Sequence, residues 1–159
     1  MPNPLAHDLD RVLAHTQGVW DDLRGARLFV TGGTGFFGCW LLESFVWACD
    51  TLRLDATLTV LTRSPQAFLR KAPHLASHPA IALLPGDVRG FPFPEGRFTH
   101  LIHGAAEASA ALNREQPLLM LDTIVEGTRR ALDFSVHCGA RRLPSAYAER
   151  GSVVPGPPA

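Results

Sequence analysis

Residues 25–38 read Gly-Ala-Arg-Leu-Phe-Val-Thr-Gly-Gly-Thr-Gly-Phe-Phe-Gly, a short apolar strand running straight into glycines at 32, 33, 35 and 38. No other stretch constrains the fold of this chain as strongly. A strand, a glycine turn and an apolar helix, in that order, are what a nucleotide pyrophosphate needs. The turn lets backbone approach phosphate oxygens, and the helix N-terminus offers unpaired N–H groups with a partial positive charge. Residues Thr31 to Gly38 fit T-G-x-x-G-x-x-G. In that pattern Gly32 permits the turn, Thr34 lies within it, Gly35 permits close approach to phosphate, and Gly38 permits close helix–strand packing. The backbone N–H groups of Phe36 and Phe37 are the expected phosphate donors.

The rest of the chain supplies the setting that such a motif requires. An amphipathic pattern over Leu9–Leu23 predicts an N-terminal helix, so residues 1–24 read as a helical extension. Arg27–Thr31 is nearly all apolar, as a strand covered on both faces should be. Phe36–Asp50 predicts a helix against the sheet, Thr57–Thr62 a second strand, and Ser64-Pro65 the start of a helix running to Lys71. Ile81–Leu84 and Thr99–His103 predict further strands, separated by a Pro/Gly-rich loop over 89–97. Gln116–Cys138 carries a long helical pattern closed by Gly139. Strands alternating with helices predict an α/β fold, a Rossmann-type doubly wound parallel sheet, over residues 25–142.

Bulk properties exclude several classes of function. Hydrophobic residues make up 46% of the 159 and charged residues 19%, ordinary for a globular domain with a core. Fifteen basic residues balance fifteen acidic ones, so no long-range field recruits nucleic acid or anionic lipid. The N-terminus lacks the pattern of a signal peptide, and the most apolar stretch, 36–49, is short for a membrane span and contains Glu43. Cys39, Cys49 and Cys138 form no C-x-x-C, so the expected compartment is a reducing cytoplasm. The histidines show no metal-binding spacing, and no metal is expected.

Three positions beyond the glycine turn bear on a bound dinucleotide. Thr62-Arg63 ends the second strand without a carboxylate. An acidic residue there would accept from a ribose 2′-hydroxyl, whereas Arg63 would tolerate a 2′-phosphate, so the cofactor reads as NAD or NADP. The alternative for Arg63 is a solvated arginine at a helix start. Asp87 follows the third strand and can accept from an adenine amino group, with Val88 offering its backbone; equally, Asp87 can be a turn aspartate. After the fourth strand, Gly104, Ala105 and Ala106 are small enough for backbone to pass close to ribose and pyrophosphate, or they simply pack on the glycine turn. His103 reads as a strand-end core histidine.

These residues together resemble the extended short-chain dehydrogenase/reductase family, the NAD-dependent epimerases and dehydratases of sugar nucleotides. The resemblance rests on Thr31–Gly38, on Gly86-Asp87-Val88, on Ile102-His103-Gly104-Ala105-Ala106, and on Pro117 with Val125-Glu126-Gly127-Thr128. It covers about residues 25–142 and implies a bound NAD or NADP whose nicotinamide exchanges hydride with a nucleotide-linked sugar. The family also implies a Ser or Thr on the next strand and a Tyr-x-x-x-Lys pair, in which the cation lowers the tyrosine pKa for general base work. The chain departs from that pattern. It has one tyrosine, Tyr147, and one lysine, Lys71, and Gly151 stands four residues after Tyr147. Ile124 occupies the position where the family usually has Asn. Residues 143–159, rich in Pro and Gly, read as an irregular, disordered tail in place of a fifth strand. The expectation is therefore a C-terminally truncated domain, without catalytic residues and inactive alone, with a noncatalytic NAD(P)-binding sensor module as the alternative. An open sheet edge would favour a homo-oligomer.

Overall fold

A computed structural model describes residues 3–105 and 114–143 of the chain. Its centre is a four-stranded, all-parallel sheet made of β1 (Arg27–Thr31), β2 (Thr57–Thr62), β3 (Ile81–Pro85) and β4 (His100–His103) in the order β3-β2-β1-β4. Phe29 of β1 stands opposite Thr59 on one side and Leu101 on the other. The sheet order reverses direction between β1 and β4, and a crevice opens at the C-terminal ends of strands at such a switch point.

Alternation along β1 sends Leu28 and Val30 to one face and Phe29 and Thr31 to the other, so both faces must be covered. On the first face Leu28, Val30, Leu58 and Val60 pack with Leu42, Phe45 and Ala48 of α2 (Phe36–Leu52). Phe68 of α3 (Pro65–Lys71) and Leu75 of α4 (Pro73–Ala76) complete that cluster. On the second face Phe29 meets Phe91, Phe98 and Phe134, the last from α5 (Pro117–Cys138). Helices on both faces of a parallel sheet make the doubly wound α/β fold read from the sequence.

The N-terminal helix is shorter than its periodicity predicts. Helix α1 spans Ala6–His15, and a separate 3₁₀ turn covers Asp21–Leu23. The break has a local cause. Thr16 Oγ1 donates to the Val12 carbonyl at 2.6 Å and accepts from Trp20 Nε1 at 2.7 Å, and Gly18 turns the chain at φ +87°. Leu9 of α1 is buried, and Trp47 Nε1 donates to Asp10 Oδ1 at 2.9 Å, which fastens the extension to α2. Helix α4 is an element the sequence reading did not include. Gly139 closes α5 in the left-handed region at φ +69°.

Beyond α5 the chain returns to the open side of β4. Arg141 N–H donates to the Thr99 carbonyl at 2.9 Å, and Leu101 N–H to the Arg142 carbonyl at 3.0 Å. Ala140 and Leu143 are buried in the second cluster. The first ladder bonds of a parallel neighbour to β4 are thus in place, and Leu143, which the sequence reading assigned to the tail, packs in the core. The remaining tail, 144–159, with Tyr147, lies outside the described residues.

Candidate functional site

The glycine turn crosses the C-terminal ends of β1 and β4. Gly32 has φ +76°, and a Cβ on it would run into the Gly104 carbonyl and lie 2.6 Å from the Ala105 nitrogen. The turn is closed locally by Gly35 N–H donating to the Gly32 carbonyl at 3.1 Å. Gly35 is the N-cap of α2 without a side-chain cap, and the first turn of the helix carries no acidic residue. Cys39 N–H is the first to find a helical acceptor, the Gly35 carbonyl at 2.9 Å. The N–H groups of Phe36, Phe37 and Gly38 precede it and have no intrahelical acceptor. Their side chains do not shield them: Phe36 and Phe37 are 73% and 84% exposed.

A cleft of about 240 Å³ lies in front of this turn. Thr34, Gly35, Arg63, Asp87, Val88, Gly104 and Ala105 all line it, together with Gly32. The structure therefore brings into one crevice residues that the sequence singled out in four separate segments. Gly38 is behind the turn, where it serves packing. Ala106 and Glu107 lie outside the described residues. Sequence reasoning did not select Thr31, Leu61, Thr62, Gly86 and Thr123 as lining residues. Thr31, Thr62 and Gly86 adjoin positions already chosen, and Leu61 stands two residues before Arg63. Thr123 carried no local signal, because it reaches the cleft only through the docking of α5.

Asp87 is engaged within its own turn. Its Oδ1 accepts from the Arg89 backbone N–H at 3.0 Å and from Arg89 Nε at 2.8 Å, while Oδ2 accepts from Arg89 Nη2 at 3.2 Å. The Arg89 guanidinium holds the carboxyl below the usual carboxylate range. The turn reading of Asp87 and its place in the cleft wall are both realised. On the opposite side, Lys71 Nζ donates to the Thr34 carbonyl at 2.7 Å, tying the end of α3 to the glycine turn. That contact joins residues 37 apart and had no motif to announce it.

His103 is buried just below the cleft, as the sequence suggested, and links three elements. Ala105 N–H donates to Thr31 Oγ1 at 3.1 Å, Thr31 Oγ1 lies 2.8 Å from His103 Nδ1, and His103 Nε2 lies 3.3 Å from Thr128 Oγ1. The Thr31 hydroxyl thus accepts from Ala105 N–H and shares a hydrogen bond with Nδ1, while Nε2 faces the Thr128 hydroxyl. Burial disfavours the charged ring and pushes its pKa below the ordinary histidine value. His100 is lowered too, first by burial and then by Arg142.

A depressed folded-state histidine pKa makes the unfolded chain the better proton binder below about pH 6.5. Stability should therefore hold from pH 8 to 7 and fall as the pH drops below 6.5. The slope is at most about 1.4 kcal/mol per pH unit for each histidine. Urea unfolding at pH 7.5, 6.5 and 5.5 checks this, and His103→Gln should flatten the dependence. A midpoint unchanged to pH 5.5 would contradict it.

Among the described residues no group of three His, Cys, Asp or Glu side chains is placed to hold a metal ion, and no helix is long and apolar enough to cross a membrane.

A parallel sheet ordered β3-β2-β1-β4, with a glycine turn and a helix N-terminus facing the crevice at its switch point, defines a Rossmann-type domain. The profile of the NAD dependent epimerase/dehydratase family matches residues 28–149, and the chain belongs to that family. No curated protein matches the sequence. Among solved structures, the dTDP-glucose 4,6-dehydratase DesIV from Streptomyces venezuelae, with NAD and TYD bound, is 26% identical. It superposes with a TM-score of 0.60 over 74% of this chain and 38% of its own. The UDP-Glc/GlcNAc 4-epimerase from Campylobacter jejuni is 18% identical, with a TM-score of 0.62 over 76% of this chain and 36% of its own. Pen from Bacillus thuringiensis, at 17% identity and a TM-score of 0.62, shares the fold over 37% of its length. The chain thus spans well under half the length of these neighbours.

Proposed function

We propose that the chain binds a nicotinamide dinucleotide, NAD or NADP, as the cofactor-holding part of a nucleotide-sugar epimerase or dehydratase. The observation that carries this reading is the open N-terminus of α2. The backbone N–H groups of the first turn have neither a helical acceptor nor a side-chain cap, and Gly35, which starts the helix at the cleft wall, carries no Cβ. That arrangement suits a pyrophosphate, whose oxygens accept from such groups. Gly32 and Thr34 shape the turn beneath it, Phe36 and Phe37 supply the N–H groups, and Gly38 keeps the helix close to the turn. Arg63 flanks the adenosine ribose, Asp87 and Val88 flank the adenine, and Gly104 and Ala105, with Ala106 next in the chain, pass beside the second ribose. Asp87 retains lone pairs for an adenine amino group because its bonds to Arg89 leave carboxylate positions open.

When bound, the cofactor supplies hydride transfer; the residues named here bind and orient it. We assign no catalytic residue. The family pair of tyrosine and lysine is absent, and Lys71, the one lysine, is held against the Thr34 carbonyl. The reading is therefore of a chain that binds cofactor and turns over no nucleotide sugar by itself. Relatives such as DesIV, crystallised with NAD, support the cofactor class.

Calorimetric titration of the purified chain with NAD, NADH, NADP and NADPH tests this. Saturable one-to-one binding with at least one of the four is expected, together with a rise in melting temperature. No heat and no thermal shift with any of them at millimolar concentration would refute the reading.

A further inference from the structure

A second recess of about 250 Å³ opens beside the cleft and shares Thr34, Thr62 and Arg63 with it. Ser64 and Lys71 also line it, and among the described residues no carboxylate does. It sits at the C-terminal end of β2, the strand next to the one that enters the glycine turn. A dinucleotide whose pyrophosphate lies on that turn extends its adenosine ribose over this strand end.

The chemistry of the recess is the reverse of what a ribose diol asks for. A 2′-hydroxyl is held by an acidic acceptor, and none lines the recess among the described residues. The groups present are donors. Lys71 has three N–H bonds to give and uses one on the Thr34 carbonyl, which fixes its ammonium at the lip between turn and recess. Arg63 contributes a second cation. Ser64 Oγ accepts from Ala67 N–H at 3.3 Å, and Thr62 Oγ1 accepts from Ser64 N–H at 3.3 Å, so each hydroxyl keeps its proton to donate. The carboxylate lining the adjoining cleft among the described residues, Asp87, is ion-paired with the Arg89 guanidinium, and Arg63 adds a weaker attraction to it.

We infer that this recess takes a phosphate monoester on the adenosine 2′-oxygen and makes the chain selective for NADP(H), with Lys71 as the anchoring cation and Arg63 as its partner. The inference rests on the dinucleotide reading above and narrows it to one cofactor. Charge-assisted bonds from two cations to a phosphate outweigh the loss of a hydroxyl contact. NADP should therefore bind on the order of tenfold tighter than NAD at low salt, and the ratio should shrink as salt screens the charges.

The test is competitive calorimetry of NADP against NAD, with adenosine 2′,5′-bisphosphate and 5′-AMP as shorter probes. It is run on the wild-type chain and on Lys71→Met, Lys71→Arg and Arg63→Gln, each first shown to melt cooperatively. The expected result is a preference for both 2′-phosphorylated ligands. Lys71→Met and Arg63→Gln should lower that preference several-fold, and Lys71→Arg should retain it. Equal or tighter binding of NAD by the wild type would overturn the inference while leaving the dinucleotide reading standing. A loss shared equally by NAD and NADP in Lys71→Met would assign that residue to holding the glycine turn, and would overturn its role as anchor. Failure of all four ligands would instead remove the dinucleotide reading itself.

Discussion

Replacing Gly38 with alanine should leave the chain unfolded or insoluble, whereas the same change at Gly35 should leave it folded and unable to bind dinucleotide. The two positions are three residues apart in one motif, yet their surroundings differ. A Cβ on Gly38 would run into the Gly32 carbonyl oxygen and lie 2.5 Å from the Gly33 backbone. Those atoms belong to the turn itself and cannot rotate aside as a side chain would. Relief requires α2 to move off β1, and the penalty should exceed about 3 kcal/mol, a large fraction of the ~5–15 kcal/mol that holds a domain together. A Cβ on Gly35 would meet the Gly32 carbonyl oxygen at 3.3 Å, a contact that a shift of a few tenths of an ångström relieves. Its melting temperature should stay within about 5 °C of the wild type. The methyl would nevertheless stand at the cleft wall, where phosphate oxygens must approach the N–H groups of α2. Thermal melts and NADP titration of both variants separate the outcomes. A soluble, cooperatively folding Gly38→Ala chain that binds dinucleotide would show the turn to be far more plastic than its packing implies.

Phe29→Ala should cost about 3–5 kcal/mol, the range for emptying a fully buried aromatic site. Phe29 has no exposed surface. Its ring stacks on Phe91 at 5.3 Å, and it meets Phe98 edge-on at 5.7 Å and Phe134 at 4.8 Å. The cluster is the joint between the sheet and α5, fastened on its rim by Arg130, whose guanidinium lies 3.9 Å from the Phe93 ring centroid and donates to the Phe91 carbonyl. Thr31, two residues on along β1, points to the same face and meets His103. Loosening the cluster should therefore also weaken dinucleotide binding, because α5 brings Thr123 to the cleft and Thr128 to His103. The denaturant midpoint of Phe29→Ala against Phe29→Leu measures this, with the leucine variant retaining more than half of the lost stability. An alanine variant within about 1 kcal/mol of the wild type would mean that the cluster collapses to fill the space.

Much of this architecture was legible in the chain. The strand before the glycines, the helix after them and the Gly139 stop on α5 are written in local periodicity and turn chemistry, and they fall within a few residues of their predicted bounds. The misreading of α1 is informative for the same reason. An apolar pattern continues through Leu23, but Thr16 bonds back to the Val12 carbonyl and Gly18 takes a positive φ, and together they divide the segment. Periodicity reports which face is apolar; it is blind to a side chain that competes for backbone.

By itself, the sequence determined that a strand enters a glycine turn and leaves through a helix whose first N–H groups stay open, because those properties depend on neighbours in the chain. The tertiary structure alone decided that β4 pairs with β1, that the Asp87 turn faces the Gly104 backbone across one crevice, and that Lys71 reaches the Thr34 carbonyl. Those outcomes depend on strand order and register, which close distances of tens of residues. No local pattern carries that information, and the donor-lined recess beside the cleft exists because of it.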